Sequence, residues 1–239
     1  MTARALFTRS FISFLLLLPI FFLSNANIQA QPASPPLLTY SELVQLYEEP
    51  QPSPELANKL NRLLTIPFVS NTAGLRPVSA TSVSSIRVAT WNIERGLEFD
   101  ALKAALTNDQ RFFRRLPATE RPSNFNLAQV LEQARELSQA DIVVLNEVDW
   151  GLKRTNYRNV VRDLAAATRM NYAFGVEFVE VDPLNLGIEK LEGETSESKD
   201  EMLRNLAVDK SRTLGLHGTA ILSRFPLRNV RIVRFVNQG

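Results

Sequence analysis

Val88-Ala89-Thr90-Trp91-Asn92-Ile93-Glu94 and Asp141-Ile142-Val143-Val144-Leu145-Asn146-Glu147-Val148-Asp149 share one pattern. Each is a run of apolar, β-branched residues that ends in polar ones. Such a run reads as a buried strand with its polar residues at or beyond its carboxyl end. If the two strands are neighbours in one sheet, Asn92, Glu94 and Glu147 converge on one small volume. An amide and two carboxylates at a sheet end have the composition of a hard-cation site, of the kind that holds Mg²⁺ beside a phosphate.

A third stretch follows in order, Gly218-Thr219-Ala220-Ile221-Leu222-Ser223-Arg224-Phe225-Pro226. Taken together, TWNIERG, ADIVVLNEVD and GTAILSRFP resemble the endonuclease/exonuclease/phosphatase superfamily. That group includes DNase I-like nucleases, AP endonucleases, inositol-phosphate phosphatases and bacterial sphingomyelinases. The resemblance runs from about Ile86 to the end of the chain. It implies an α/β fold, half of a four-layer DNase I-like α/β sandwich, with a mixed sheet and flanking helices. The family's catalytic half lies downstream of these motifs: a strand ending in His or Tyr, a Gly-Asp-x-Asn motif and a terminal Asp-His pair. None of these occurs in the 239 residues. The expectation is therefore an amino-terminal half-domain at 86–239, inactive or nearly so by itself.

Composition narrows the class. The formal net charge is +2, and residues 1–30 carry Arg4 and Arg9 with no acid. Without that segment 25 basic residues face 25 acidic ones, so no global basic field argues for nucleic acid. Residues 1–30 read as a signal peptide. Arg4 and Arg9 form its charged start, and Phe11–Leu23 is an apolar run shorter than the ~20 residues of a spanning helix. No stable membrane anchor is expected, and the protein is expected to be exported, periplasmic or secreted. There is no cysteine, so export brings no disulfide framework.

Residues 31–85 read as a Pro-rich linker, QPASPPLL, and a short helical extension. Thr39-Tyr40-Ser41-Glu42 fits a capping box, and Ser53-Pro54-Glu55 opens a second helix. Pro67–Ser85 reads as a loop. Beyond the first strand, Glu98–Leu106 has helical character and Thr107–Phe125 reads as irregular and basic. Asn126 caps a helix over Leu127–Ser138, and a second clear helix covers Tyr157–Met170. Tyr172–Val181 reads as a strand whose alternating Tyr172, Phe174, Val176 and Phe178 face the core. Leu184–Leu214 is a charged insertion, with GETSESKDEM as a surface loop. Strands close the chain at Thr219–Leu222 and Val230–Phe235.

The resemblance assigns roles residue by residue. Glu147 matches the family's metal-ligand Glu; its bland alternative is a solvated strand-end carboxylate. Asn92 matches the Asn of the first motif, where an amide can bond both a phosphate oxygen and a catalytic group. Glu94 is a second-rank cation ligand, at the position where AP endonucleases carry an acid. Arg154 could grip a substrate phosphate bidentately, or pair with Asp149 or Asp163. His217 precedes its strand, so it has a substrate-rim or structural role and not that of a general base. The Arg/Phe stretch 111–125 is a loop with anchoring aromatics or a base-stacking surface.

These readings combine into a metal-dependent phosphoesterase. Mg²⁺ is the expected cofactor, with Mn²⁺ or Ca²⁺ as alternatives. The substrate is a phosphate ester, either nucleic acid or a small phosphodiester. The alternative is a non-catalytic half-domain or binding module that keeps part of a phosphate and metal site. No protein partner is legible. The signal is expected to be cleaved near Ala26 or Ala30, which intact-mass analysis of exported protein would show. Recovery of the full-length chain in the membrane fraction would contradict it.

Overall fold

The structure, a computed structural model, describes residues 34–71, 85–182 and 208–234. The expected signal segment and the GETSESKDEM loop lie outside the described residues. No helix among the described residues is long and apolar enough to cross a membrane.

The chain enters through two capped helices. Thr39 opens α1 (Tyr40–Glu48) with the expected capping box: its hydroxyl accepts from the Glu42 N–H, and Glu42 Oε2 accepts from the Thr39 N–H at 2.7 Å. Ser53 accepts from the Leu56 N–H at 3.3 Å, and Pro54 begins α2 (Pro54–Thr65). Lys59 on α2 pairs with Glu42 on α1 at 2.7 Å. Leu43, Leu56 and Leu63 are buried in the same core cluster as the sheet.

Five strands form one mixed sheet: β1 (Phe68–Ser70), β2 (Val88–Arg95), β3 (Ile142–Trp150), β4 (Asn171–Val179) and β5 (Leu216–Ser223), in the spatial order β1-β4-β5-β3-β2. β2 and β3 are parallel and every other pair is antiparallel. The expected mixed α/β sheet is present, and its two motif strands are neighbours. Between β2 and β3 run α3 (Phe99–Thr107), α4 (Gln110–Arg115) and α5 (Leu127–Leu137). Between β3 and β4 runs α6 (Val160–Thr168). Leu145, Ala220 and Phe174 sit side by side on β3, β5 and β4, buried on the helix-covered face. The opposite face carries Val88, Thr90, Ile142, Val144, Thr219 and Ile221, all exposed or half-buried.

Four local expectations are corrected. The stretch read as a loop after Pro67 contains β1, which pairs with the edge of β4. The stretch read as irregular contains α4, because Asp109 caps it and Phe113 is buried. Helix α6 begins at Val160 rather than Tyr157. Asn156 and Tyr157 have left-handed backbones, φ 53° and 56°, and Asn159 caps the Arg162 N–H at 3.0 Å. Residues 230–234 form no strand; Arg234 ties this segment down by donating to the carbonyl of Glu177 at 2.9 Å.

Gly218 on β5 is required by close approach. A Cβ there would meet the Gly175 carbonyl oxygen at 2.0 Å and the Val176 Cα at 3.1 Å, both backbone atoms of β4. Gly218→Ala is expected to destabilise the protein by about 1–3 kcal/mol through overpacking, read as a lower urea midpoint. An unchanged midpoint would contradict this account of the β4–β5 pair.

Candidate active site

A regular strand alternates its side chains, so Leu145 and Glu147 would share a face. Leu145 points into the helix-covered core, and Glu147 does not follow it. Leu145 pairs with Ala220 and Val148 with Gly218, so β3 carries one residue more than β5 at this level. The extra residue is a β-bulge, and Glu147 sits in it with φ 54°. The bulge turns Glu147 to the open face, where Asn92 Nδ2 donates to Glu147 Oε1 at 2.5 Å. Val148 then returns to the core, fully buried.

β2 breaks register at the same level. Asn92 pairs with Asn146 and Arg95 with Val148, and Glu94 and Arg95 have φ of 47° and 64°. Asn92 binds this irregularity too, because its Oδ1 accepts from the Glu94 N–H at 3.0 Å. One half-buried amide therefore holds the carboxyl ends of both motif strands. Asn92 and Glu147 meet directly, as their sequence pattern suggests. Glu94 reaches the pair through its backbone, and its side chain is exposed.

Behind this pair lies a buried ionic group. Asp149, 0 % exposed, accepts two hydrogen bonds from Arg154, at 2.7 and 3.0 Å. Its Oδ1 also lies 2.8 Å from His217 Nδ1, its register partner on β5. Arg154 bonds Glu180 as well. Burial opposes the charge of the Arg154 guanidinium, but the hydrogen bonds from Asp149 and Glu180 outweigh it and hold its pKa above the usual value. Of the two readings open for Arg154, the structure shows the ion pair with Asp149. The fork that would grip a phosphate is engaged by carboxylates. His217 lies within β5 rather than ahead of its strand, and it is buried on Asp149, as a structural role requires.

A third bulge completes the rim. Val176 pairs with Gly218 and Phe178 with His217, so β4 also carries one extra residue here. This corrects the expectation that Phe178 faces the core. The bulge puts it on the open face, 48 % exposed, with its ring stacked on His217 at 4.6 Å between centroids. Sequence periodicity missed it. Glu177 gave no warning, because regular alternation also places it on the outward face.

The donor set suits a cation held largely by water and substrate. Among the described residues no three His, Cys, Asp or Glu side chains gather into a ligand cluster. Glu147 offers one carboxylate, oriented by Asn92. Mg²⁺ is commonly held by one or two carboxylates together with waters and phosphate oxygens, so the residues present fit it. The Arg/Phe stretch lies elsewhere: Phe113 is buried and packs edge-on against Phe112 on α4, among helices α3 and α5.

A family model, that of the Endonuclease/Exonuclease/phosphatase family, matches residues 89–239. No curated protein and no solved structure matches.

Removing one partner of a buried ion pair leaves an uncompensated charge, at a cost of about 3–5 kcal/mol. Arg154→Ala is expected to lose stability in that range by urea unfolding. Arg154→Lys should recover little of it, because an ammonium cannot reproduce the bidentate fork on Asp149. A loss below about 1 kcal/mol for Arg154→Ala, the size of an exposed pair, would contradict the network described here.

Proposed function

The chain belongs to the endonuclease/exonuclease/phosphatase family, and from that premise we propose that it is a metal-dependent phosphoesterase whose working residues are Glu147 and Asn92. The observation that carries this reading is the 2.5 Å bond between Asn92 and Glu147 at the bulged carboxyl ends of two parallel strands. Glu147 would hold Mg²⁺, with Mn²⁺ or Ca²⁺ as substitutes, and exposed Glu94 would serve as an outer contact. The ion supplies neutralisation of charge building on phosphoryl oxygens. Asn92 fixes the Glu147 carboxylate and presents its amide to the phosphate. Asp149 anchors the strand beyond the bulge, and Arg154 and His217 act through it as positioning residues.

Reaction by in-line attack of water also requires a general base, and acid–base help is worth ~10²–10⁴ in rate. Export, read from residues 1–30, favours a scavenging nuclease or a lipid-directed esterase over DNA repair.

Binding tests the site without requiring turnover. Calorimetric titration of Mg²⁺ in the presence of inorganic phosphate should show binding that Glu147→Gln weakens at least tenfold. Asn92→Ala should weaken it less, by loss of orientation. Binding that is indifferent to Glu147→Gln would sink the assignment. Hydrolysis of bis-p-nitrophenyl phosphate separates the two functional classes: Mg²⁺-dependent turnover abolished by Glu147→Ala marks the esterase, and binding with no turnover marks a non-catalytic module.

A further inference from the structure

We propose that Phe178 is a stacking platform for a planar ring carried by the phosphate ester held at Asn92 and Glu147, and that this ring is a nucleobase. The inference rests on the phosphate-site reading above and names its substrate class. The bulge in β4 supplies the first argument. Without it Phe178 would share the face of Phe174 and Val176, which are 0 % and 1 % exposed. With it, a large apolar ring stands half in solvent on the face that carries Glu147.

The ring is also preorganised. One side lies on the His217 imidazole, with 26° between the planes. His217 is 5 % exposed and fixed by Asp149, which is fixed by Arg154. The imidazole cannot swing away without breaking a buried ionic group, so the ring keeps its place at little entropic cost. Position is the third argument. Phe178 on β4 and Glu147 on β3 are separated by β5 alone. Two strand spacings across the sheet and two residues along β5 put their backbones roughly 12 Å apart. A phosphate at Glu147 and a base on Phe178 therefore belong to one ligand of nucleotide dimensions.

Chemistry selects the base over a choline-type head group. A quaternary ammonium is recognised by several aromatic faces forming a cage. The only aromatic ring stacked on Phe178 among the described residues is His217. A single open π-face suits a flat ring, and it accepts any base without reading its edges.

The test is calorimetric binding, in Mg²⁺, of adenosine 5′-monophosphate, ribose 5-phosphate and phosphocholine. The wild-type chain is compared with Phe178→Ala, Phe178→Trp and Glu147→Gln. Wild type should bind the nucleotide about tenfold or more tighter than ribose 5-phosphate, the range of one base–aromatic stack. Phe178→Ala should erase that preference and leave ribose 5-phosphate binding unchanged, and Phe178→Trp should restore it. Glu147→Gln should weaken all three ligands alike. Tighter binding of a short oligoadenylate would assign the chemistry to a polynucleotide, and equal binding to a free nucleotide. A preference that survives Phe178→Ala overturns the platform. Equal weakening of both sugar phosphates by that substitution assigns Phe178 a structural role and overturns it as well. Preference for phosphocholine overturns the nucleobase. If Glu147→Gln changes nothing while Phe178→Ala acts selectively, the platform stands and the cation-site reading fails. If wild type binds none of the three, both fail.

Discussion

The hydrogen bond from Asn92 to Glu147 decides where this sheet displays its chemistry. Glu147 reaches the open face only because β3 carries an extra residue there, in a left-handed conformation. A non-glycine residue held so costs of order 1–3 kcal/mol. A hydrogen bond to a charged group returns roughly 1.5–3 kcal/mol. The two are comparable, so the bond can hold the bulge open. The same amide accepts from the Glu94 N–H, so one side chain stabilises irregular backbone on two strands. Strain in this sheet gathers where a carboxylate must be turned out of the core.

The ionic group around Asp149 does different work. Its value is geometric more than energetic, because desolvating four charged or polar side chains offsets much of their attraction. It pins β3 two residues past the bulge, anchors β5 through His217 and reaches Glu180 through Arg154. β5 stays regular between two bulged neighbours. Gly218 allows β4 to close against it.

Much of this was legible in the sequence, and what was not has physical causes. The strands over Asn92 and Glu147 could be read because both are long β-branched runs, and their shared polar endings predicted a meeting the structure bears out. The capping box at Thr39 and the cap at Asn126 are local hydrogen bonds, and local chemistry is visible in a sequence. Period-2 reasoning places Phe178 in the core because it assumes that every strand keeps register, and a bulge is set by the partner strand. Arg154 illustrates the same limit. Its pairing with Asp149 is only five residues long and was foreseeable, but Glu180 is brought to it by the β4–β5 pairing, across a long stretch of chain. β1 is not legible because Phe68-Val69-Ser70, directly after Pro67, is too short to carry periodicity.

The placement of α1, α2 and β1 bears on where this protein can be cut. The family match begins at residue 89, yet the folded core does not. Leu38, Leu43, Leu56, Leu63 and Phe68 are buried with the sheet residues in one cluster. A recombinant chain trimmed to the family boundary would lose all five and uncover apolar surface. It would also strip β1 from β4 and leave that strand with a free row of N–H and C=O groups, a ready template for edge-to-edge aggregation. The unit of sequence kinship and the unit of folding thus differ by some fifty residues, and expression trials should respect the second.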